Sequence, residues 1–497
     1  MNKKLLLTLP LASLLAASLL ACGTDSSAPA AGTENNAPSV SDTAVETEPV
    51  DALELRKSVD DGLGTGDFGG RDFRITAYNN NTSWYVIEAE TGDVVDDAVI
   101  ARTRTVEERF NVNVKVVFDG AESWETSSFI KDAINANDDV QDLISFHCVE
   151  SGLVALAGYY MNWYDIPHID FSKPWWSKCN IDTLTYNNVC LCAVGDMNMT
   201  AIRNIYAMFE NKRLAADYDI PDLYDTVMDG KWTFDYLVSL TKDIYQDLNG
   251  NGVVDNTEDF FGFAASGSTG MDVFQWAFDN LIFQKNDKGE LEFTFFNERL
   301  DNVITKMRST FNVYQGIRTD LTDKWNYTSN MFADGKTIFS NCNINKAIVF
   351  RDMTDDYAIL PYPKYDDQQK EYRTIADGAH EVLSVPVTAS DLDFIGTITE
   401  AMNAESYKTV VPAYYDVAMK VKGTRDPESV AMLDLIVDSR VFDFGYVYDG
   451  WEGCSFFFTS LVNDANQNLA SFWEANRKKV TNHYEKVAEF FENFESN

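Results

Sequence analysis

An alternation of strand-like and helix-like segments constrains the fold of residues 72–160 more than any other feature. Three short segments have the apolar pattern of strands: Phe73–Ala77, Val112–Phe118 and Asp142–Phe146. Each is followed by a segment with apolar residues at helical spacing, namely Asp96–Phe110, Ser123–Asn135 and Ser151–Tyr160. Such alternation predicts an α/β fold in which a mostly parallel sheet carries helices on its faces.

The carboxyl ends of parallel strands are where ligands bind in open α/β sheets. In this chain the predicted ends are Tyr78–Trp84 and His147–Glu150. We therefore expect Trp84, Phe146, His147 and Glu150 to line a ligand site.

The rest of the chain has a more helical pattern, and 497 residues are enough for two domains of ordinary size. A turn at Ala333–Gly335 leads into a predicted strand at Thr337–Ser340, which places Asn341 and Asn343 just beyond a strand end. Predicted helices cover Ala207–Ala216, Thr233–Asp247, Met271–Phe283, Asn297–Tyr314, Leu392–Ala404, Pro427–Val437 and Gln467–Phe490.

The first 22 residues have the organisation of a bacterial export signal. Two lysines precede an apolar run from Leu5 to Ala21, and the run stops at Cys22. The tetrapeptide Leu19–Cys22 resembles the lipobox of bacterial lipoproteins, which implies cleavage before Cys22 and acylation of its thiol. We expect residues 1–21 to be the signal peptide and the mature protein to be held in the outer face of the cytoplasmic membrane, since several acyl chains give stable anchoring.

Residues 23–50 contain Ser, Thr, Ala, Pro, Asn and acidic residues with almost no large apolar side chains. Such a segment buries too little surface to offset its conformational entropy. We expect residues 22–70 to form the lipid anchor and a disordered tether, with order beginning near Asp72.

Charge and cysteine content restrict the possible partners. Acidic residues outnumber basic ones by 78 to 40, for a formal net charge of −38, which argues against nucleic acid as a partner. Six cysteines follow Cys22, and none has the spacing of a zinc site. An exported chain permits disulfides, but we favour buried free thiols.

One segment matches the calcium-loop pattern D-x-[DN]-x-[DN]-G-x₅-E at every position. It runs from Asp247 to Glu258, with Gly252 at the sharp turn and the preceding residues predicted as its entering helix. The alternative is an Asn/Gly-rich turn that binds no ion. We expect one structural Ca²⁺, bound by Asp247, Asn249, Asn251, the carbonyl of Val253, Asp255 and Glu258.

Tryptophans are candidate sugar-binding residues, because a flat indole complements the C–H face of a pyranose ring. For most of them the core is the more common location. Trp451 differs, since it lies between glycines in Asp449–Gly453. Six tryptophans lie in loops or near them: Trp84, Trp175, Trp176, Trp276, Trp325 and Trp451.

Catalytic motifs are scarce. The sequence contains neither G-x-S-x-G nor H-E-x-x-H, and its four histidines do not have metal-ligand spacing. A glycoside hydrolase or lyase needs only two carboxylates, so that alternative remains open. A calcium-dependent adhesion or scaffold protein is a third possibility, which the single calcium loop disfavours.

Several stretches resemble the extracellular solute-binding proteins of ATP-binding-cassette sugar importers, the family that includes maltose-binding proteins. Their order and spacing carry the resemblance, which spans most of the chain from Asp72 onward. The stretches are Thr91–Val99 with Val106–Val112, Val194–Asp196 leading into Tyr206–Leu214, Gly230–Phe234, and Met331–Phe339 followed by Ile359–Lys364.

This resemblance implies a two-lobed periplasmic-binding-protein-like α/β fold whose discontinuous lobes are joined by a hinge. We expect residues 71–195 plus 360–405 in lobe 1, and residues 196–359 plus 406–497 in lobe 2. Asp196 resembles a family position that accepts sugar hydroxyls, and Trp451 one that supplies an aromatic platform.

The resulting expectation is a binding protein rather than an enzyme. It would act as a monomer that captures a carbohydrate, expected to be an oligosaccharide, by lobe closure and delivers it to a membrane permease. Because one fold serves many solutes, a non-sugar ligand is the other open alternative.

Overall fold

The computed structural model describes residues 52–255, 258–320 and 327–495. Its strands are β1 Arg71–Tyr78, β2 Val112–Gly120, β3 Leu143–His147, β4 Tyr206–Asn211, β5 Tyr245–Gln246, β6 Phe260–Ser266, β7 Phe283–Lys285, β8 Leu291–Phe293, β9 Ile317–Asp320, β10 Thr337–Asn343, β11 Tyr357–Leu360, β12 Thr374–Ile375, β13 Glu381–Ser384 and β14 Arg440–Val441.

Its α-helices are α1 Ala52–Lys57, α2 Val94–Phe110, α3 Ser123–Asn135, α4 Cys148–Leu156, α5 Lys178–Leu184, α6 Thr200–Arg203, α7 Lys212–Asp217, α8 Tyr224–Met228, α9 Phe234–Thr241, α10 Thr269–Ala277, α11 Glu298–Val313, α12 Tyr327–Ala333, α13 Lys346–Phe350, α14 Leu392–Lys408, α15 Pro427–Asp438, α16 Phe444–Val447, α17 Phe457–Asn463 and α18 Leu469–Glu492. A π-helix, Pro412–Met419, follows α14.

The first sheet has the order β13-β3-β1-β2. Strand β1 pairs in parallel with both β2 and β3, while β13 joins β3 in antiparallel register from a point far along the chain. The strand–helix alternation predicted for residues 72–160 is therefore confirmed. Helix α2 begins two residues earlier than predicted, because the Asp93 side chain accepts the N–H of Val95 and caps it.

The second sheet has the order β11-β4-β10-β6-β5, with β9 paired to β6. Strands β6, β9 and β10 are parallel, and β4, β5 and β11 are antiparallel to their partners. The chain passes from the second sheet back to the first between Leu360 and Glu381, so the segment around 374–380 lies beside both.

Three of the predicted helices were wrong in part. Residues 207–211 belong to β4, whose six residues are all buried, and only then does α7 begin. A fully buried strand has no polar face, so its apolar run can be mistaken for a helix. The helix predicted for 233–247 ends at Thr241, and that predicted for 271–283 ends at Ala277.

Order also begins earlier than predicted. Asp61 is buried and forms an ion pair with Arg109, and the ring of Phe68 packs edge-on against Phe394 with centroids 4.9 Å apart. The segment from Ala52 to Gly70 is therefore packed on the first sheet's helices rather than part of a disordered tether.

Helix α4, which follows β3, lies directly against α16. A Cβ added to Gly152 would lie 1.9 Å from the carbonyl oxygen of Val447. This distance is too short for any side chain to be accommodated. Glycine at this position lets the two backbones touch. This contact brings the end of the first sheet next to the C-terminal part of the chain.

All six cysteines after Cys22 are free thiols, and five of them are buried. This result agrees with the preference for buried thiols, except that Cys179 is exposed. Among the residues that the structure describes, no helix is both long and apolar enough to cross a membrane. Cys22 and the predicted signal peptide lie outside the described residues.

Candidate functional site

The end of β3 supplies the first side of the site. His147 caps α4, since its Nδ1 accepts the N–H of Glu150 at 3.4 Å, and its ring lies 5.7 Å from that of Tyr78. Burial, with a contribution from His380, lowers the pKa of His147 to about 3. The imidazole is therefore neutral at physiological pH and can act only as a neutral hydrogen-bonding and packing group.

The loop after α16 supplies the second side. Gly450 and Trp451 both have left-handed backbones, with φ of 56° and 62°. The carboxylate of Asp449 holds this turn by accepting the N–H groups of Trp451 and Ser455, each at 3.0 Å. As a result the indole of Trp451 is 53% exposed and stacks on Phe456, with centroids 4.9 Å apart and planes 18° from parallel.

A hydrogen bond joins the two sides. The indole nitrogen of Trp451 donates to Glu150 Oε1 at 3.1 Å. Next to Phe456, the ring of Tyr446 lies 5.9 Å away. A Cβ on Gly378 would lie 2.8 Å from the Tyr446 hydroxyl and 3.3 Å from His147 Cε1. These contacts join seven residues into one cluster, which we call the aromatic cleft: Tyr78, His147, Glu150, Gly378, Tyr446, Trp451 and Phe456.

Carboxylates dominate the electrostatics of the aromatic cleft. Asp377 accepts the Tyr206 hydroxyl and the Ala379 N–H, both at 2.9 Å, and burial raises its pKa. Burial likewise raises the pKa of Asp272 to about 7. Burial first, and then the charges of Asp272, Asp377 and neighbouring acids, raise the pKa of Tyr446 far above its usual value, so its hydroxyl stays protonated.

Two predicted strand-end residues belong to the core instead. Trp84 is only 8% exposed, and its ring packs edge-on against Tyr414 with centroids 5.6 Å apart. Phe146 is fully buried against Tyr78. Phe146 supports Tyr78 from the core because side chains alternate along β3, whereas Trp84 ends a short 3-10 helix, Thr82–Trp84, rather than a strand.

The two asparagines after β10 are engaged in the fold. Asn341 is buried, its amide nitrogen donates to the Gly270 carbonyl and the Tyr362 hydroxyl, and its oxygen accepts the Ser266 N–H. Asn343 donates to the carbonyl of Asn204 at 2.8 Å. Both amides therefore organise loops of the second sheet.

Asp196 lies apart from the aromatic cleft. It lines a pocket of about 140 Å³ together with Trp176, Asn198 and Arg440, and none of the other seven predicted ligand residues lines that pocket. Burial raises the pKa of Asp196 to about 7, against the opposing charges of Arg56 and Arg440. Gly195 is required beside it, since a Cβ there would lie 2.2 Å from Asn403 Oδ1.

Comparison with solved structures bears on the fold. No protein-family model and no curated protein sequence matches the chain. UgpB from Mycobacterium tuberculosis, solved with glycerophosphocholine, superposes with a TM-score of 0.54 at 15% identity, covering 84% of this chain and 99% of that one. The GacH receptor of Streptomyces glaucescens gives 0.51 at 13% identity, covering 85% and 100%.

A cyclo/maltodextrin-binding protein complexed with maltotetraose gives a TM-score of 0.52 at 12% identity, covering 86% of this chain and 98% of that one. The chain has the two-lobed α/β fold of these binding proteins. The predicted fold class is thereby confirmed. GacH is a receptor, and the protein complexed with maltotetraose is a cyclo/maltodextrin-binding protein.

Sequence reasoning missed four residues of the site: Asp377, Gly378, Tyr446 and Phe456. The first two lie in the connection between the sheets, and Gly378 is one of many glycines with no local motif. The aromatic pair lies near Trp451, so the aromatic-rich run 442–458 was the available signal.

Most other tryptophans are core residues, which is the location expected for most tryptophans. The indole nitrogens of Trp175 and Trp176 both donate to Glu400 at 2.9 Å, and that of Trp276 donates to Asp443 at 2.9 Å. Trp325 lies outside the described residues.

The predicted calcium loop has a tightly wound backbone. Asp247 accepts the N–H groups of Gly250 and Gly252 at 2.7 Å each, and both glycines have φ near 70°. Asn251 Oδ1 accepts the Val253 N–H at 2.7 Å. The loop is entered from the short strand β5, not from a helix. Among the described residues, no three side chains of His, Cys, Asp or Glu cluster as a metal site.

Proposed function

We propose that the chain is the extracellular substrate-binding component of an ATP-binding-cassette importer and that its ligand is a carbohydrate. The observation that carries this proposal is the pairing of Trp451 with Glu150. An exposed indole backed by Phe456 offers a flat apolar surface for the C–H face of a pyranose, and the adjacent carboxylate accepts its hydroxyl groups.

Two further features support capture by lobe closure. The aromatic cleft is built from the end of the first sheet, the inter-sheet connection and the C-terminal loop, so a ligand would touch segments that belong to different parts of the fold. The solved structures of the same fold include proteins bound to maltotetraose and to cycloalternan. A ligand shifts the lobes only by binding the closed form more tightly.

A glycan panel tests the proposal. The protein is incubated with neutral oligosaccharides of different linkage, and its melting temperature is measured, because a bound ligand stabilises the folded state by mass action. We expect at least one glycan to raise the melting temperature and to be recovered intact. Shortened glycans would instead indicate a glycoside hydrolase or lyase, and a panel without any shift would favour a non-sugar solute.

We further propose that Cys22 is the lipidated amino terminus and that the anchored protein acts as a monomer beside its permease. The signal-like run before Cys22 supports this proposal. Cys22→Ala should release the protein from membranes into the medium. Complete retention of the variant in the membrane fraction would contradict anchoring through this residue.

We also propose that the 247–258 loop binds one structural Ca²⁺. The oxygens of Asp247 and Asn251 that accept backbone N–H groups keep a second lone pair, which a hard cation can use. Asn249, Asp255, Glu258 and the Val253 carbonyl would complete the set. Two neutral amide ligands indicate a modest affinity for Ca²⁺. The calcium concentration outside the cell is high enough to fill a site of modest affinity.

A further inference from the structure

The aromatic cleft contains negative charge on both of its sides. Glu150 on α4 reaches across to Trp451, and its Oε1 accepts the indole N–H. Asp377 lies beyond Gly378, and Asp272 and Asp449 are among the charges that act on Tyr446. The charge of Glu150 also reaches Tyr78, which lies beside His147. A ligand in this space therefore faces carboxylates from several directions.

The groups that donate hydrogen bonds to these carboxylates carry no positive charge. Asp377 receives a phenol and a backbone N–H, and Asp449 receives two backbone N–H groups. Asp272 receives the Thr459 N–H. Within the described part of the chain, no Lys or Arg side chain forms an ion pair with any of the cleft carboxylates.

The two buried histidines do not supply the missing positive charge. Burial lowers the pKa of His147 to about 3 and that of His380 to about 4, so both rings are neutral at pH 7. His483 on α18 partly offsets the rise that burial causes in the pKa of Asp449, and its Nε2 hydrogen-bonds to the Tyr448 carbonyl at 2.8 Å. The balance of charge within the cleft is therefore negative.

The Tyr446 hydroxyl is a neutral donor that the fold leaves available there. Tyr446 is only 2% exposed, and among the residues that the structure describes its hydroxyl has no hydrogen-bond partner, although it lies beside Gly378. A hydroxyl without a partner inside the protein is free to donate to a ligand oxygen. The cleft thus offers several carboxylate acceptors, and its donors are neutral groups.

We infer that the aromatic cleft selects sugars that are uncharged or carry an amino group, and rejects sugars that carry a carboxylate, sulfate or phosphate. This inference rests on the proposed function and specifies its substrate class. The physical reason is that hydroxyl and ammonium groups donate to carboxylates, whereas a like charge brought beside them without a counterion is repelled and loses its hydration.

Matched trisaccharides that differ only at C6 test the inference. Galactose and galacturonate trimers, and glucose and glucuronate trimers, are compared by calorimetry at pH 7. We expect the uronate of any pair that binds to have an affinity lower by about tenfold or more. Raising the salt concentration should narrow this ratio, because ions screen the partly exposed charge of Glu150.

A charge-removal variant locates the effect. Glu150→Gln should lower the affinity for the neutral trimer and narrow the neutral-to-uronate ratio. Glu485→Gln, which removes one charge from the exposed face of α18, should leave that ratio unchanged. If both variants change the ratio equally, the net charge of the protein causes the discrimination and the inference is wrong.

The two hypotheses fail differently. If a neutral trimer and its uronate bind with equal affinity, carbohydrate capture stands and the charge selection is overturned. If neither member of any pair binds, nor any neutral glycan of the wider panel, the proposed function fails and the inference falls with it.

Discussion

The indole nitrogen of Trp451 lies 3.1 Å from Glu150 Oε1, and the two residues are 301 positions apart in the sequence. This bond joins the helix that follows β3 to the loop that follows α16. It also fixes the edge of the indole, while the Phe456 ring supports its face. The pair therefore presents a preorganised apolar surface beside a hydrogen-bond acceptor.

Replacing Trp451 should reduce affinity with little effect on stability. The exposed half of the indole is the surface that a sugar would cover, and its contact is worth about 1.5–3 kcal/mol by the scale for burying a large side chain. Trp451→Ala should thus weaken binding of a glycan found in the panel by roughly tenfold or more. Calorimetry gives the affinity, and thermal unfolding gives the stability.

A matched control exists on α3. Trp124 is 66% exposed and lies outside the aromatic cleft, so Trp124→Ala should leave the affinity unchanged. Trp451→Phe keeps a ring on Phe456 but loses the bond to Glu150, and its loss should be smaller than that of the alanine variant. Equal affinity in wild type and Trp451→Ala would show that the ligand binds elsewhere.

Much of the first sheet could be predicted because its signals are local. The alternation from Phe73 to Tyr160 gives strands and helices in the right order. Strand β4 could not be read in the same way, because a strand buried on both faces has no polar side to mark its period.

The site itself was only partly predictable. His147, Glu150 and Trp451 meet in the aromatic cleft, but their contact depends on Gly152, whose missing side chain lets α4 reach α16. Nothing near Gly152 in the sequence marks such a close approach. For the same reason Asn341 could be placed after a strand, whereas its full set of internal hydrogen bonds could not be foreseen.

Gly152→Ala should destabilise the protein although alanine is the better helix former. The gain in helix propensity is about 1 kcal/mol, whereas a methyl group 1.9 Å from the Val447 carbonyl must push two backbones apart. Overpacking of this kind costs about 1–3 kcal/mol, and a rigid backbone neighbour places this site at the upper end. Urea unfolding measures the change in free energy.

Gly64→Ala is the control for the Gly152→Ala variant. A Cβ at Gly64 has no neighbour within 4 Å, and its backbone is not left-handed, so the free energy of unfolding should change little. A Gly152→Ala protein as stable as the Gly64→Ala protein would mean that α4 and α16 are not held in contact in solution.

Removing calcium should lower the melting temperature if the 247–258 loop binds the ion. An ion present at ten times its Kd contributes about 1.4 kcal/mol through mass action. A chelator should abolish this contribution, and Glu258→Gln should make the protein insensitive to the chelator, since it removes a charged ligand. In the control, magnesium is added in place of calcium. Identical melting curves of the wild type with and without chelator would contradict the proposal.

Stability should fall as the pH rises from 6.5 to 8.5. Burial raises the pKa of Glu210 to about 8 and those of Glu381 and Glu400 to about 7, mainly through loss of hydration. In the unfolded chain these groups ionise near pH 4.5. Between that value and the folded pKa, the unfolded state loses protons that the folded state keeps, so rising pH favours unfolding, by up to about 1.4 kcal/mol per pH unit and group.

Glu210→Gln isolates one of these contributions. Glu210 is 3% exposed and its carboxyl makes no hydrogen bond within the described residues, so the amide replaces it without removing a partner. The variant should lose less stability than the wild type between pH 6.5 and 8.5, as measured by urea unfolding at each pH. The histidines are the same in both proteins, so their contribution cancels in this comparison. The exposed Glu485→Gln variant should follow the wild type, and a Glu210→Gln curve with the wild-type slope would show that Glu210 is ionised in the folded protein.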